Sequence, residues 1–146
     1  VAGLLSHDPR AHSVDIRCKA EPGLPAARAK EDDVVQILMN LGVNALDATS
    51  ESGGTVTFET FSSSADVAVR VTDTGGGVPM GARQRLFEPF FTTKPAGHGT
   101  GLGLFVSRAI SEDLNGRLEL ESTGPTGTVF VLRLPRAPLE AEGIST

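Results

Sequence analysis

Tryptophan and tyrosine are absent, cysteine occurs once, and no apolar run is longer than a few residues. A single cysteine excludes an internal disulfide framework and a cysteine-built zinc site, and it makes a reducing compartment, the cytoplasm, the expected setting. Cys18 itself is read as a small buried thiol. The missing apolar run excludes a membrane-spanning helix, and the N-terminus lacks the basic-plus-apolar pattern of a signal segment. Basic residues are also short: 13 Lys and Arg stand against 18 Asp and Glu, a net charge of -5. That balance argues against a nucleic-acid surface and offers nothing for membrane contact. One local exception exists. Between Pro79 and Arg108 the basic residues Arg83, Arg85, Lys94 and Arg108 face one acid, Glu88, so this stretch carries +3 and the remainder -8. Such an island suits a small anion better than DNA.

What remains is a soluble globular composition, 39% hydrophobic with a mean hydropathy of -0.02, in a chain of 146 residues. That length is one domain, able to bury roughly 68–70% of its unfolded surface. The chain opens on Val1, without Met, and is expected to be a piece of a longer protein. Residues 1–13 are read as the end of an upstream helical region or a linker, 14–135 as the domain, and 136–146 as a flexible tail.

Periodicity gives the elements. Val14 to Cys18 alternates as a half-buried strand, and Glu21-Pro22-Gly23-Leu24-Pro25 breaks it. The acidic opening Glu31-Asp32-Asp33 suits a helix N-terminus. Val34, Ile37, Leu38, Leu41, Ala45 and Ala48 then recur at helical spacing as far as Thr49. Thr55 to Phe61 and Asp66 to Thr72 read as a hairpin, Leu102 to Leu114 as a second amphipathic helix, and Arg117 to Ser122 with Thr128 to Leu134 as two closing strands. Helices fall between groups of strands, not in strict alternation. The expected fold is therefore α/β: a two-layer sandwich with a mixed sheet of about five strands and about three helices on one face.

Three features carry chemistry. Gln36, Asn40 and Asn44 lie four residues apart along one edge of the first long helix, with Asp47 a turn beyond. Asparagine carbonyl oxygens are hard neutral ligands able to hold Mg²⁺ while phosphates and water complete its octahedron, although a lone asparagine more often satisfies nearby backbone. Asp73 ends a strand before Thr74-Gly75-Gly76-Gly77, where it either faces a pocket or is an ordinary turn acid. Glycines at every second position from Gly97 to Gly103, directly before a helix, let backbone N–H groups approach an anion at the helix's positive end. The last feature is neither a Walker A loop nor a Gly-x-Gly-x-x-Gly fingerprint.

In this order the elements resemble the ATP-binding catalytic domain of bacterial sensor histidine kinases, the fold shared with gyrase B, Hsp90 and MutL and known as the Bergerat fold. Gln36 to Ala45 resembles the N box, Asp73 to Gly77 the G1 box, Leu86 to Lys94 the F box and Gly97 to Leu104 the G2 box. The resemblance implies ATP and Mg²⁺ as ligands, with Asn44 assisted by Asn40 holding the metal and Asp73 accepting from the adenine amino group. It implies that Gly75 and Gly77 shape the adenine pocket, and that Gly99, Gly101 and Gly103 place backbone donors on the phosphates with Lys94 as a charge partner. Asp47, Phe90, Thr93, Gly97, Thr100 and Leu102 complete the implied nucleotide site, and Phe87 to Gly101 would be a mobile lid anchored by Phe90 and Phe91. The implied partners are the protein's own dimerisation and phosphoacceptor domain and a response regulator.

Two departures stand out. A basic residue often follows the second N-box asparagine in this family, whereas Leu46 and Asp47 stand here, leaving Lys94, Arg83, Arg85 or Arg108 to supply the charge. The related ATPases carry Glu four residues before that asparagine, where this chain has Asn40, an amide that cannot act as a general base. Ser6-His7-Asp8 is not read as an H box, because it lies 33 residues before Asn40 with no flanking helix pair. His7 and His12 are expected in solvent, and His98 lacks metal-ligand partners at usable spacing. The alternatives are a serine kinase of the anti-sigma type and a nucleotide-sensing module without phosphoryl transfer.

Overall fold

A computed structural model describes residues 1–51, 53–93 and 101–138. Helix α1 (Ala2–Leu5) and a 3-10 turn (Pro9–Ser13) lead into β1 (Val14–Lys19), and α2 (Glu31–Thr49) follows. The hairpin β2 (Gly54–Ser62) and β3 (Asp66–Asp73) comes next, then a second 3-10 turn (Met80–Arg85). Helix α3 (Gly103–Asp113) precedes the closing hairpin of β4 (Arg117–Gly124) and β5 (Gly127–Pro135). The sheet order is β1-β2-β3-β5-β4. Only β1 and β2 pair in parallel, with α2 as their crossover, and the other pairs are antiparallel. The expected mixed five-stranded sheet is therefore present, with element ends shifted by one or two residues. No described helix is long and apolar enough to cross a membrane.

Register explains the layers, since directly opposed residues share a face. Val56 opposes Asp73 and Phe58 opposes Val71; across β5, Val71 meets Phe130 and Val69 meets Leu132. These side chains form the helix-facing layer, and Ile37, Leu41, Ala45 and Leu46 of α2 close over it in one core. On the opposite face Arg70 and Arg133 lie over the Phe61 ring, their guanidinium carbons 4.5 and 5.6 Å from its centre. Arg70 also pairs with Glu121 at 2.8 Å and Glu59 at 3.4 Å. Beneath this charged layer Ala68 and Val131 are buried, so the sheet needs no second helical layer.

The N-terminal thirteen residues, expected as the end of an upstream helical region or a linker, form a short helix and a 3-10 turn that pack on the domain. Leu5 is 1% exposed and belongs to the core. It sits against Gly42, where a Cβ would collide with the Leu5 side chain and press on Phe58. A glycine inside a helix costs roughly 0.5–1 kcal/mol relative to alanine. Here it gives Leu5 its seat. Pairing also runs past Pro135 into the expected tail: the Arg136 and Ala137 N–H groups donate to Ala65 and Ala26 at 3.1 and 2.8 Å. Residues 139–146, the rest of that tail, lie outside the described set. Cys18 is exposed, contrary to the buried thiol expected. It shares a face with Val14 and Ile16, but β1 is an edge strand and the core reaches only those two. His7 and His12 are exposed as expected.

Leu5→Ala should therefore destabilise the domain by about 2–4 kcal/mol, the usual cost of a truncated core leucine. Urea unfolding measures it, and a segment acting only as a linker would leave the midpoint unchanged.

Candidate functional site

The phase of α2 that sends Ile37, Leu41 and Ala45 into the core turns Asn40, Asn44 and Asp47 toward a cavity of about 570 Å³. Small-molecule sites typically enclose roughly 300–1,000 Å³. Its walls come from α2, the end of β3 at Asp73, the following loop from Gly76 to Pro79, Phe91 to Thr93, and Gly101, Gly103 and Leu104 at the start of α3. Thr128 and Phe130 of β5 form the floor. Gln36, at the far end of the amide row, is exposed and not on the wall.

Asp73 is 6% exposed. Its Oδ1 accepts the Gly75 N–H at 2.8 Å. Burial pushes its carboxyl above the usual carboxylate range, against the opposing pull of the Gly75 and Thr128 backbone N–H groups. Two of the three glycines after it, Gly75 and Gly77, are required by close approach, whereas Gly76 has open space around it. A Cβ on Gly75 would overlap Ala48 of α2, and Gly77, at φ +85°, lies against the Gly124 carbonyl of the β4–β5 turn. Gly75 is thus a packing contact between loop and helix and not itself a lining residue, whereas Gly77 lines the cavity.

At the other end, Asn40 Nδ2 donates to Ser107 Oγ at 2.9 Å. Ser107 is fully buried on α3. That bond ties the two helices together and sets the direction of the Asn40 carbonyl oxygen. The N-cap of α3 is Leu102, a residue with no side-chain oxygen for the first-turn N–H groups. This helix end can accept an anion.

The N-terminal segment supplies a residue that no periodicity pointed to. Arg10 lines the cavity, with Nη1 paired to Asp47. Its Nε and Nη2 grip Asp8 at 2.9 and 2.6 Å, and these hydrogen bonds hold the Asp8 carboxyl down at about 2. Of the basic residues expected to supply charge, Lys94 lies outside the described residues and the three arginines are engaged elsewhere. Arg85 pairs with Glu88 at 3.2 Å and lies over Phe91, Arg108 pairs with Glu112 at 3.6 Å and lies over Phe87, and Arg83 reaches the Val78 carbonyl at 3.5 Å. None of the three is on the cavity wall.

Among the other expected site residues, Asn40, Asn44, Asp47, Asp73, Gly77, Thr93, Gly101 and Gly103 line one cavity. Leu102 caps α3 without lining it. Phe90 does not fit the expected role: it is 74% exposed, at φ +67°, and its neighbour Phe91 lines the cavity instead. The left-handed turn at Phe90, closed by its N–H on the Gly101 carbonyl at 2.9 Å, reverses which of the two rings points inward. Lys94, Gly97, His98, Gly99 and Thr100 lie outside the described residues. Thr128 was legible in principle, since the partner of a strand-end carboxylate shares its face; Arg10 was not.

A carboxylate buried at one end of a cavity, amides at the other and a helix N-terminus beside them fit an α/β domain that binds a nucleotide, and comparison assigns the family. The family described as histidine kinase-, DNA gyrase B-, and HSP90-like ATPase matches residues 29–138. The chain belongs to it, as an ATP-binding catalytic domain of the sensor histidine kinase type. It is 38% identical over 148 residues to the two-component sensor PprA of Pseudomonas aeruginosa, covering 97% of this chain but 16% of that relative. The catalytic domain of histidine kinase ThkA superposes with a TM-score of 0.77 at 31% identity, covering 93% of this chain and 89% of that one. Full-length ShkA in complex with AMPPNP gives 0.79 at 33%, covering 96% and 30%. The chain thus spans a small part of the whole sensors it matches.

Asp73→Asn tests the buried carboxylate in two ways. A folded-state pKa raised by burial means that ionised Asp73 costs stability at neutral pH, a cost relieved as pH falls through that raised value. The variant should melt no lower than the parent at pH 7, with any gain shrinking in acid. ATP affinity should fall by about tenfold or more, since a hydrogen bond to a charged group is worth about 1.5–3 kcal/mol. Calorimetric titration and thermal melts across pH check both.

Proposed function

We propose that this chain binds Mg·ATP in the α2–α3 cavity and donates the γ-phosphoryl group to a histidine on a separate dimerisation and phosphoacceptor domain of the same protein. From there it would reach a response regulator in the cytoplasm. The observation that carries the proposal is the pairing of Asp73 at one end of the cavity with Asn40 and Asn44 at the other. In this reading Asp73 accepts the adenine amino group and the backbone at Gly77 packs near the base. The first N–H groups of α3 receive the phosphates.

The donor set fits Mg²⁺. Asn44 and Asn40 present neutral hard oxygens, and among the described residues no cluster of three or more His, Cys, Asp or Glu competes for the metal. A bound Mg²⁺ would supply charge neutralisation across the phosphates. The chain's own residues position: Ser107 fixes the Asn40 amide, and the core fixes the face of α2 on which Asn44 sits. Catalysis of this kind comes from alignment and electrostatics.

The same residues disfavour hydrolysis. Position 40 is an amide, and the carboxylate of that helix edge, Asp47, is paired with Arg10. General-base assistance is worth about 10²–10⁴-fold in rate. ATP should therefore stay intact until an acceptor is presented. Incubated with γ-labelled ATP, the chain alone should release little phosphate and take up no label, and adding the protein's own phosphoacceptor domain should give acid-labile phosphohistidine. Fast phosphate release from the chain alone would identify an ATPase, and stable serine labelling of a partner would move the reading to an anti-sigma type kinase. Asn44→Asp should weaken Mg·ATP binding without unfolding the domain, by calorimetry and circular dichroism.

A further inference from the structure

We propose that Arg10, carried in by the segment ahead of β1, is a phosphate-binding residue of the nucleotide site. The inference deepens the ATP-binding reading and rests on it.

Among the described residues Arg10 is the one Arg or Lys on the cavity wall. A cavity for a polyanion needs fixed positive charge where the phosphates lie, and Arg83, Arg85 and Arg108 do not line it. The position of Arg10 follows from its partner. Asp47 is on α2 between Asn44, at the amide end, and Ala48, which packs against Gly75 beside Asp73. Its guanidinium therefore stands along the stretch of wall that joins the two ends, where the link between base and terminal phosphate must run.

The surroundings of Arg10 orient it without exhausting it. A guanidinium has five N–H donors. One goes to Asp47 and two, on Nε and Nη2, to Asp8, which leaves one on each η nitrogen. Arg10 is on the cavity wall, whereas Asp8 is not. The backbone of the segment is held as well: the Arg10 N–H donates to Asp8 Oδ1 at 2.9 Å, and Leu5 is locked in the core against Gly42. A side chain so tethered loses little freedom on meeting a phosphate, and a planar fork matches phosphate oxygens. The cation that α2 lacks after Asn44 is thus supplied from outside the helix, by a residue 37 positions before Asp47.

The test is a titration series with adenosine, ADP and ATP on the chain and its Arg10→Gln and Arg10→Lys variants. Arg10→Gln should weaken ADP and ATP by about tenfold, with adenosine affinity unchanged, and Arg10→Lys should recover part of the loss. The difference between Arg10→Gln and the parent should shrink as salt is raised. Equal ADP and ATP affinities for Arg10→Gln and the parent would overturn the inference. So would a loss that is the same for adenosine as for ATP, because that pattern belongs to a brace for α2 and not to a phosphate contact. Failure of the parent chain to bind ATP would instead remove the functional reading itself, and the inference with it.

Discussion

Everything at the site depends on the rotational setting of α2. A 19-residue helix has one stripe that must leave water, and burying Ile37, Leu41, Ala45 and Leu46 against β2, β3 and β5 leaves no freedom to turn. Asn40, Asn44 and Asp47 then fall on the cavity edge as a geometric consequence. Two contacts keep the setting from both sides. Leu5 lies in the notch made by Gly42, and Asn40 is tied to the buried Ser107 of α3. A loss of core packing would therefore reach the site as a misdirected amide before it reached it as disorder.

The carboxylate end is built on a different principle. Asp73 is held by sheet register: it opposes Val56 on one side and Thr128 on the other, so its side chain must point to the helix-facing layer. An acid in that layer is costly, and the fold lowers the cost only with the Gly75 and Thr128 backbone N–H groups. Stability alone favours a neutral residue there. Its presence accords with the ligand-binding role proposed for it.

Periodicity made the regular elements legible, because period-2 and period-3.6 patterns record which face is buried. The parallel β1–β2 pair and its α2 crossover fit the mixed sheet read from element order. Asp73, Gly77, Gly101 and Gly103 are on the cavity wall; each alone could have been an ordinary turn residue, and only their order along the chain pointed to one site. What could not be read was long-range and single-residue. Leu5 and Arg10 lie in a segment too short for a period, and their partners Gly42 and Asp47 are each 37 residues away. That Phe91 and not Phe90 lines the cavity goes with a left-handed backbone angle at Phe90, which two adjacent identical residues cannot announce. Cys18 failed for a related reason: alternation says which face a strand residue takes, but not whether the helices extend far enough to cover it.

The two outer strands have a consequence for how the domain behaves when crowded. An open sheet edge invites another strand to add to it. β1 carries exposed Asp15, Arg17 and Lys19, and β4 carries exposed Arg117, Glu119 and Glu121 with an irregular register between Leu120 and Ser122. A strand approaching either edge must strip water from charges of both signs and, at β4, follow a broken ladder. The sheet therefore resists edge-to-edge aggregation, and a domain with one open sheet face can exist at high local concentration without growing into fibres.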